Sequence, residues 1–337
     1  MSPGHPKRWL QLAPALVCIG AAVAFASSAS ATFHGHNDRI AYRQFFNADH
    51  TRGAIFTVRA DGSGTRQLTH PRGKRVTTEP DWSPDGRWIV YQVERGGAPN
   101  ITVVKIRRNG THRTPLSQTC HGQCLDDSFP AWSASGRRIA VQRELCSTGS
   151  NNLQAIYTIG ADGGKARRIT QPRSDCSTRH RFADLAPQWA PDGNRIAFQR
   201  FDNQRGKGAV FTVRLDGTAL RRITPWHLDA AQPDYSPNGS WILFRTQYGS
   251  DSRGNIWLVH PNGEGRHAIT HTPAGSGKWQ SASFSPNGKK ITAAKAPGVG
   301  AAGNADVYIM NIDGSGRRDV TNTRRWDSAP DWGPTRR

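Results

Sequence analysis

Short apolar runs alternate with glycine-centred turns along nearly the whole chain. Trp88–Val93, Arg138–Arg143, Arg195–Phe201, Trp241–Thr246 and Lys290–Ala294 each follow a turn phrase, mostly Asp-Gly or Asn-Gly. Those dipeptides close tight hairpins between antiparallel strands. A second run follows each: Asn100–Ile106, Ala155–Ala161, Ala209–Leu215, Asn255–Pro261 and Asp306–Ile312. Then comes a second turn, at Asn109-Gly110, Asp162-Gly163, Asp216-Gly217, Asn262-Gly263 and Asp313-Gly314. A short strand ending in Thr or Ser closes the unit, as in Arg167-Arg168-Ile169-Thr170 and Arg221-Arg222-Ile223-Thr224. With the segment that precedes the first turn, each unit is four short antiparallel strands, A to D. Gly 35 and Pro 21 place breakers every few residues, which excludes a mainly helical chain.

The A strand carries a P-x-W-S-P-D-G phrase that occurs six times. Its aromatic anchors are Trp82, Trp132, Trp189, Tyr235, Phe284 and Trp332, spaced 50, 57, 46, 49 and 48 residues apart. That period is the size of a propeller blade. The N-terminal piece has strands B, C and D (Arg39–Tyr42, Ala54–Ala60, Arg66–Thr69) without an A, and the C-terminal piece has an A phrase alone. Together they complete one unit. The expected fold is all-β: a monomeric six-bladed β-propeller over 32–337, closed by pairing of its N- and C-terminal strands, so that no sheet edge stays open.

Residues 1–31 read as a secretory signal peptide. Lys7 and Arg8 precede the apolar stretch 15–26, and Ala29-Ser30-Ala31 is an A-x-A cleavage phrase. No later apolar run approaches the roughly 18 residues of a membrane span. An exported protein in the periplasm, cell envelope or medium is expected. Export favours disulfides among the remaining cysteines, Cys120, Cys124, Cys146 and Cys176. Cys120–Cys124 with Cys146–Cys176 is the favoured pairing; the alternative joins each of Cys120 and Cys124 to a distant cysteine.

The succession P-x-W-S-P-D-G, I-A-F/Y, I-Y/F-x-V, D-G and R-R-I-T resembles the TolB-type β-propeller repeat, over almost all of the chain after the leader. The resemblance implies a six-bladed propeller like that of the exported TolB component of the Tol-Pal envelope system. It also implies a departure: only about eight residues separate the cleavage phrase from the first strand, so the α/β domain that precedes the propeller in TolB, and with it the segment engaging the inner-membrane partner, is expected to be missing. The same repeat occurs in the propellers of prolyl-oligopeptidase-type peptidases and of oligogalacturonate lyases, so it speaks more to fold than to function.

Hydrolase, P-loop and dinucleotide motifs are absent from the sequence. The D–A and B–C connections share one face and vary in length, which makes that face the candidate for recognition. His70, His121, His180, His227 and His271 fall in D–A connections, with Asp127, Asp184, Asp229 and Asp327 just ahead of the A phrases. These acids either converge with the histidines on a ligand or cap backbone N–H groups. The regular Asp-x-x-Pro spacing of Asp127, Asp184 and Asp327 favours capping. No metal, cofactor or catalytic residue is expected. Lys+Arg 45 against Asp+Glu 25 gives a net charge of +20, and arginines such as Arg66, Arg167, Arg168, Arg221, Arg222, Arg266, Arg317 and Arg318 form a belt on the outer strands. The expected function is a non-catalytic binding scaffold for a protein or an anionic envelope component, with no role in nucleic-acid binding. The alternative is a polysaccharide-acting enzyme, oligogalacturonate-lyase-like, with a metal or His/Asp site at the channel mouth.

Overall fold

The computed structural model describes residues 35–95, 101–117, 126–148, 151–172, 182–246, 254–273, 276–297 and 304–335. The leader, Cys120, Cys124, Cys176, His121 and His180 lie outside them. The strands are β1 (Asn37–Phe45), β2 (Gly53–Arg59), β3 (Arg66–Gln67), β4 (Arg75–Trp82), β5 (Trp88–Arg95), β6 (Ile101–Arg107), β7 (Thr114–Pro115), β8 (Asp126–Trp132), β9 (Arg138–Thr148), β10 (Asn151–Gly160), β11 (Arg167–Arg168) and β12 (Phe182–Trp189). They continue as β13 (Arg195–Asp202), β14 (Lys207–Arg214), β15 (Arg221–Arg222), β16 (Ala230–Tyr235), β17 (Ile242–Thr246), β18 (Ile256–Val259), β19 (His267–Ala268), β20 (Lys278–Phe284), β21 (Lys290–Ala296), β22 (Asp306–Asn311), β23 (Arg318–Asp319) and β24 (Trp326–Pro334). The only helical turn among the described residues is a 3₁₀ turn at Trp226–Leu228. No helix among them is long and apolar enough to cross a membrane.

Four sheets hold four strands each in chain order: β8–β11, β12–β15, β16–β19 and β20–β23. The fifth holds eight, in which β24, β1, β2 and β3 form one group and β4–β7 another. β24 pairs antiparallel with β1, with Trp332 opposite Ile40 and Asp327 opposite Gln44. The two groups meet in a single parallel pair, Gly53 with Val76. The sequence predicts them as separate units. Thr77 explains the join, because it stands at the position that carries Asp127, Asp184 and Asp327 in other A strands. Its hydroxyl accepts the Ile55 N–H at 3.1 Å and bonds the Thr69 hydroxyl at 2.6 Å, drawing β4 toward β2.

Two repeated contacts account for the pattern. First, each aromatic anchor lies in its own buried cluster between consecutive groups of strands. Trp82 packs with Ala41, Ile55 and Leu68, and Trp189 with Ala131, Ile156 and Ile169. Trp332 joins Ile40, Tyr42, Val307, Ile309 and Val320. Trp132, Tyr235 and Phe284 do the same elsewhere. The tryptophans are thus packing wedges, each contributing about 2–3 kcal/mol or more of apolar burial. Second, the Thr or Ser ending each D strand accepts a buried N–H from its C strand: Ile55 to Thr69, Val103 to Ser117, Ile156 to Thr170, Val210 to Thr224, Ile256 to Thr270 and Val307 to Thr321, all at 2.9–3.0 Å. Each two-residue outer strand is fastened by its side chain as well as its ladder.

Candidate functional site: the axial channel and the loop face

The inner strands β4, β8, β12, β16, β20 and β24 surround one axial cavity of about 80 Å³. Each reaches it through a β-bulge, where the register against the neighbouring strand slips. At every bulge one non-glycine residue takes a left-handed backbone: Glu79, Phe129, Ala186, Gln232, Ser281 and Ala329, with φ between 44° and 50°. Such residues carry backbone strain that their surroundings must hold in place. Side chains supply that hold at two bulges. The Phe129 N–H donates to Gln92 Oε1 at 2.8 Å, and the Ala186 N–H to Gln142 Oε1 at 3.2 Å. Arg43 lies 3.6 Å from Glu79 and donates to Thr78 and Ser328 hydroxyls.

The second residue of the P-x-W phrase is acidic in three copies, and all three acids face the axis. Asp81 accepts the Trp132 N–H at 2.7 Å, Asp234 the Phe284 N–H at 2.7 Å, and Asp331 the Trp82 N–H at 2.8 Å. Each therefore staples its inner strand to the next. Burial raises Asp81 well above the carboxylate range, and the neighbouring Asp331 pushes the same way. Burial lifts Asp234 to about 8, and desolvation lifts Asp331 to about 6. The sequence reading passed over these acids because they sit inside the repeat phrase itself. Their signal is that the position alternates between Asp and the neutral Ala131, Gln188 and Ser283.

The structure separates the predicted site residues. Asp127 forms a two-pronged ion pair with Arg143 at 2.7 and 2.8 Å, and Asp184 does so with Arg200 at the same distances; both carboxylates are fully enclosed. Asp229 accepts the Gly208 N–H at 2.6 Å. Asp327 accepts the Thr323 hydroxyl at 2.8 Å, and burial raises it to about 6. Among the described residues, only Asp229 of these four caps a backbone N–H through its side chain; Asp127 and Asp184 instead lock strand A to strand B. His70, His227 and His271 are exposed and line none of the cavities described here. No group of three or more His, Cys, Asp or Glu among the described residues has metal-site geometry. Cys146 lies within β9 opposite Leu153, beyond the Arg138–Arg143 run that the sequence predicts, because the β9–β10 hairpin extends further than its apolar core.

A family model described as the TolB beta propeller domain matches residues 125–292. A TolB homolog of Chlorobium luteolum is 28% identical over 280 residues, covering 82% of this chain. The chain belongs to the TolB-type β-propeller family. This TolB-type chain spans 56% of that relative's length. The crystal structure of TolB from Acinetobacter baumannii matches with a TM-score of 0.67 at 20% identity, over 88% of this chain and 67% of that one. An oligogalacturonate lyase in complex with manganese matches with a TM-score of 0.51 at 11% identity, over 85% of this chain and 74% of that one. Both structures speak to the shared propeller fold of the TolB-type chain.

Proposed function

We propose that this TolB-type propeller is an exported, non-catalytic binding scaffold that holds a protein partner on its D–A/B–C loop face. In this reading residues 1–31 are a cleaved leader, the eight-stranded sheet is two blades, and the chain is a monomeric ring of six blades closed by β1 and β24. Cysteines 120, 124, 146 and 176 form two disulfides on the loop face. The observation that carries the binding role is the state of the axis. A cavity of about 80 Å³ has room for a few waters, whereas small-molecule sites run to roughly 300–1,000 Å³. The acids that a sugar-cleaving site would use, Asp127 and Asp184, are consumed by Arg143 and Arg200. What remains for recognition on that face is its exposed connections.

Capture of partners from an envelope fraction tests this. The quadruple substitution His70→Ala, His180→Ala, His227→Ala and His271→Ala should lower capture severalfold while the melting temperature holds. Full capture by that variant overturns the loop-face assignment. Turnover of an acidic oligosaccharide that vanishes in the same variant replaces the scaffold with the lyase-like enzyme.

A further inference from the structure

The turn face, opposite the loop face, carries a cavity of about 560 Å³ between the β1–β3 strands and β4–β7. Its lining is Arg39, Arg59, Arg66, Arg87, Arg107 and Arg108, with Trp88, Thr57, Gly64 and Asn109. The arginines flank the turn dipeptides in sequence: Arg59 precedes Asp61-Gly62, Arg87 follows Asp85-Gly86, and Arg107-Arg108 precede Asn109-Gly110. The tips converge. A methyl added at Gly64 would lie 2.6 Å from Arg59 Nη1 and 3.5 Å from Arg39 Nη1. Arg39 donates to Thr57 and Gly64 carbonyls, and Arg66 to the Asn109 carbonyl at 2.6 Å. These bonds fix the forks without neutralising them. Arg108 meets Asp38, Arg87 lies 3.8 Å from Asp85, and Asp61 stands near Arg59. Among the described residues, these six guanidinium groups thus meet the carboxylates of Asp38, Asp61 and Asp85. Burial lowers the pKa of Arg39, and Arg59, Arg108 and Arg66 add to the shift, as crowded cations should.

The basic surface continues past this cavity. Lys105 and Arg107 both lie over the Trp88 ring, at 5.0 and 5.3 Å. Lys105 also lines a second cavity of about 420 Å³ with Arg137, Arg138, Lys165 and Asp162. Lys105 thus links the Trp88 wall of the first cavity to the second.

We propose that these grooves form one track for an anionic polysaccharide, with Arg59 and Arg107 in the first groove and Arg137 and Lys165 in the second taking successive charged groups of the chain. Two linked grooves suit an elongated ligand with repeated charge, and guanidinium forks match carboxylate, sulfate or phosphate oxygens. A single-stranded nucleic acid would need free aromatic faces for its bases, and the indole here is already covered by cations. A protein partner would anchor on apolar side chains. The exposed large hydrophobic residues among those described, Leu220 and Ile312, line neither groove. The track is independent of the loop-face partner, so either can fail alone.

The test is titration of the full chain with uronate oligosaccharides of graded length, at low and physiological salt. Affinity should rise with length until both grooves are spanned and fall as salt rises. Arg59→Gln with Arg107→Gln, and separately Arg137→Gln with Lys165→Gln, should each weaken the long oligosaccharide roughly tenfold, the worth of one or two charge-assisted contacts. All four residues are exposed, so melting temperatures should hold. Arg221→Gln with Arg222→Gln removes the same charge from β15 and should change affinity less than twofold. Equal losses in all three variants would mean diffuse attraction without a site. Length-independent binding, or equal affinity for duplex DNA of matched charge, would overturn the polysaccharide track.

Discussion

An aspartate that faces the axis must be both acceptor and near-neutral group, and Asp234 shows the consequence. Its oxygen holds the Phe284 N–H, yet burial raises its pKa from 3.8 to about 8. The native state therefore keeps a proton that the unfolded chain gives up above about pH 4. Stability contributed by this group is present below that pH and is lost progressively as pH climbs toward 8. Asp234→Asn retains the acceptor and removes the titration. Its melting temperature relative to the parent chain should rise between about pH 5 and pH 8, because the parent's unfolded state is favoured there by giving up a proton that its folded state keeps. A difference that stays flat across that range, measured by thermal melts in matched buffers, would remove the carboxyl from the pH response. Asp81 and Asp331 share the geometry and the direction of shift, so the parent chain should be more resistant to mild acid than its count of carboxylates implies.

At the scale of the strand, the fastening of the outer edge is the feature open to measurement. Thr170→Val leaves the buried Ile156 N–H without its side-chain acceptor, which costs about 1–3 kcal/mol. Thr170→Ser should recover most of that loss, and denaturant midpoints of the pair separate the hydroxyl from the methyl. The strands themselves were legible because hairpin turns announce their ends, and the ordering of A to D follows from the repeated phrase. The bulges were not. Glu79, Phe129, Ala186, Gln232, Ser281 and Ala329 share no chemistry, since the left-handed backbone there answers to the register slip and not to the side chain. Their one trace is the proline that follows five of the six. The roles of Asp127 and Asp184 were hidden for a related reason. Their partners lie 16 residues onward in the next strand, and only the antiparallel register sets Arg143 and Arg200 opposite them. The turn-face arginines were read as belonging to an outer belt or were passed over. Their convergence depends on two groups of strands meeting at an angle that no linear pattern records.

For the molecule as a whole, β24 is the strand that brings the two ends of the described chain together. It gives β1 its antiparallel partner, Trp82 its Asp331 acceptor, and one core cluster its tryptophan. A chain lacking residues 326–337 should lose cooperative unfolding and melt broadly at lower temperature. A sharp transition at the parent temperature would show that the fold does not need β24. The same pairing has a consequence in time. The Trp332 indole donates to the Asp38 carbonyl, 294 residues away along the chain, and closing so long a loop costs roughly 3 kcal/mol more entropy than closing a hairpin of about a dozen residues. The contact therefore cannot nucleate folding and must come after the local hairpins. During synthesis every other sheet can form while β1 still waits, its edge open, for a strand whose Trp332 the ribosome delivers 294 residues after Asp38. The span of that wait, more than the strength of any single bond, sets how long each new copy is exposed to its neighbours.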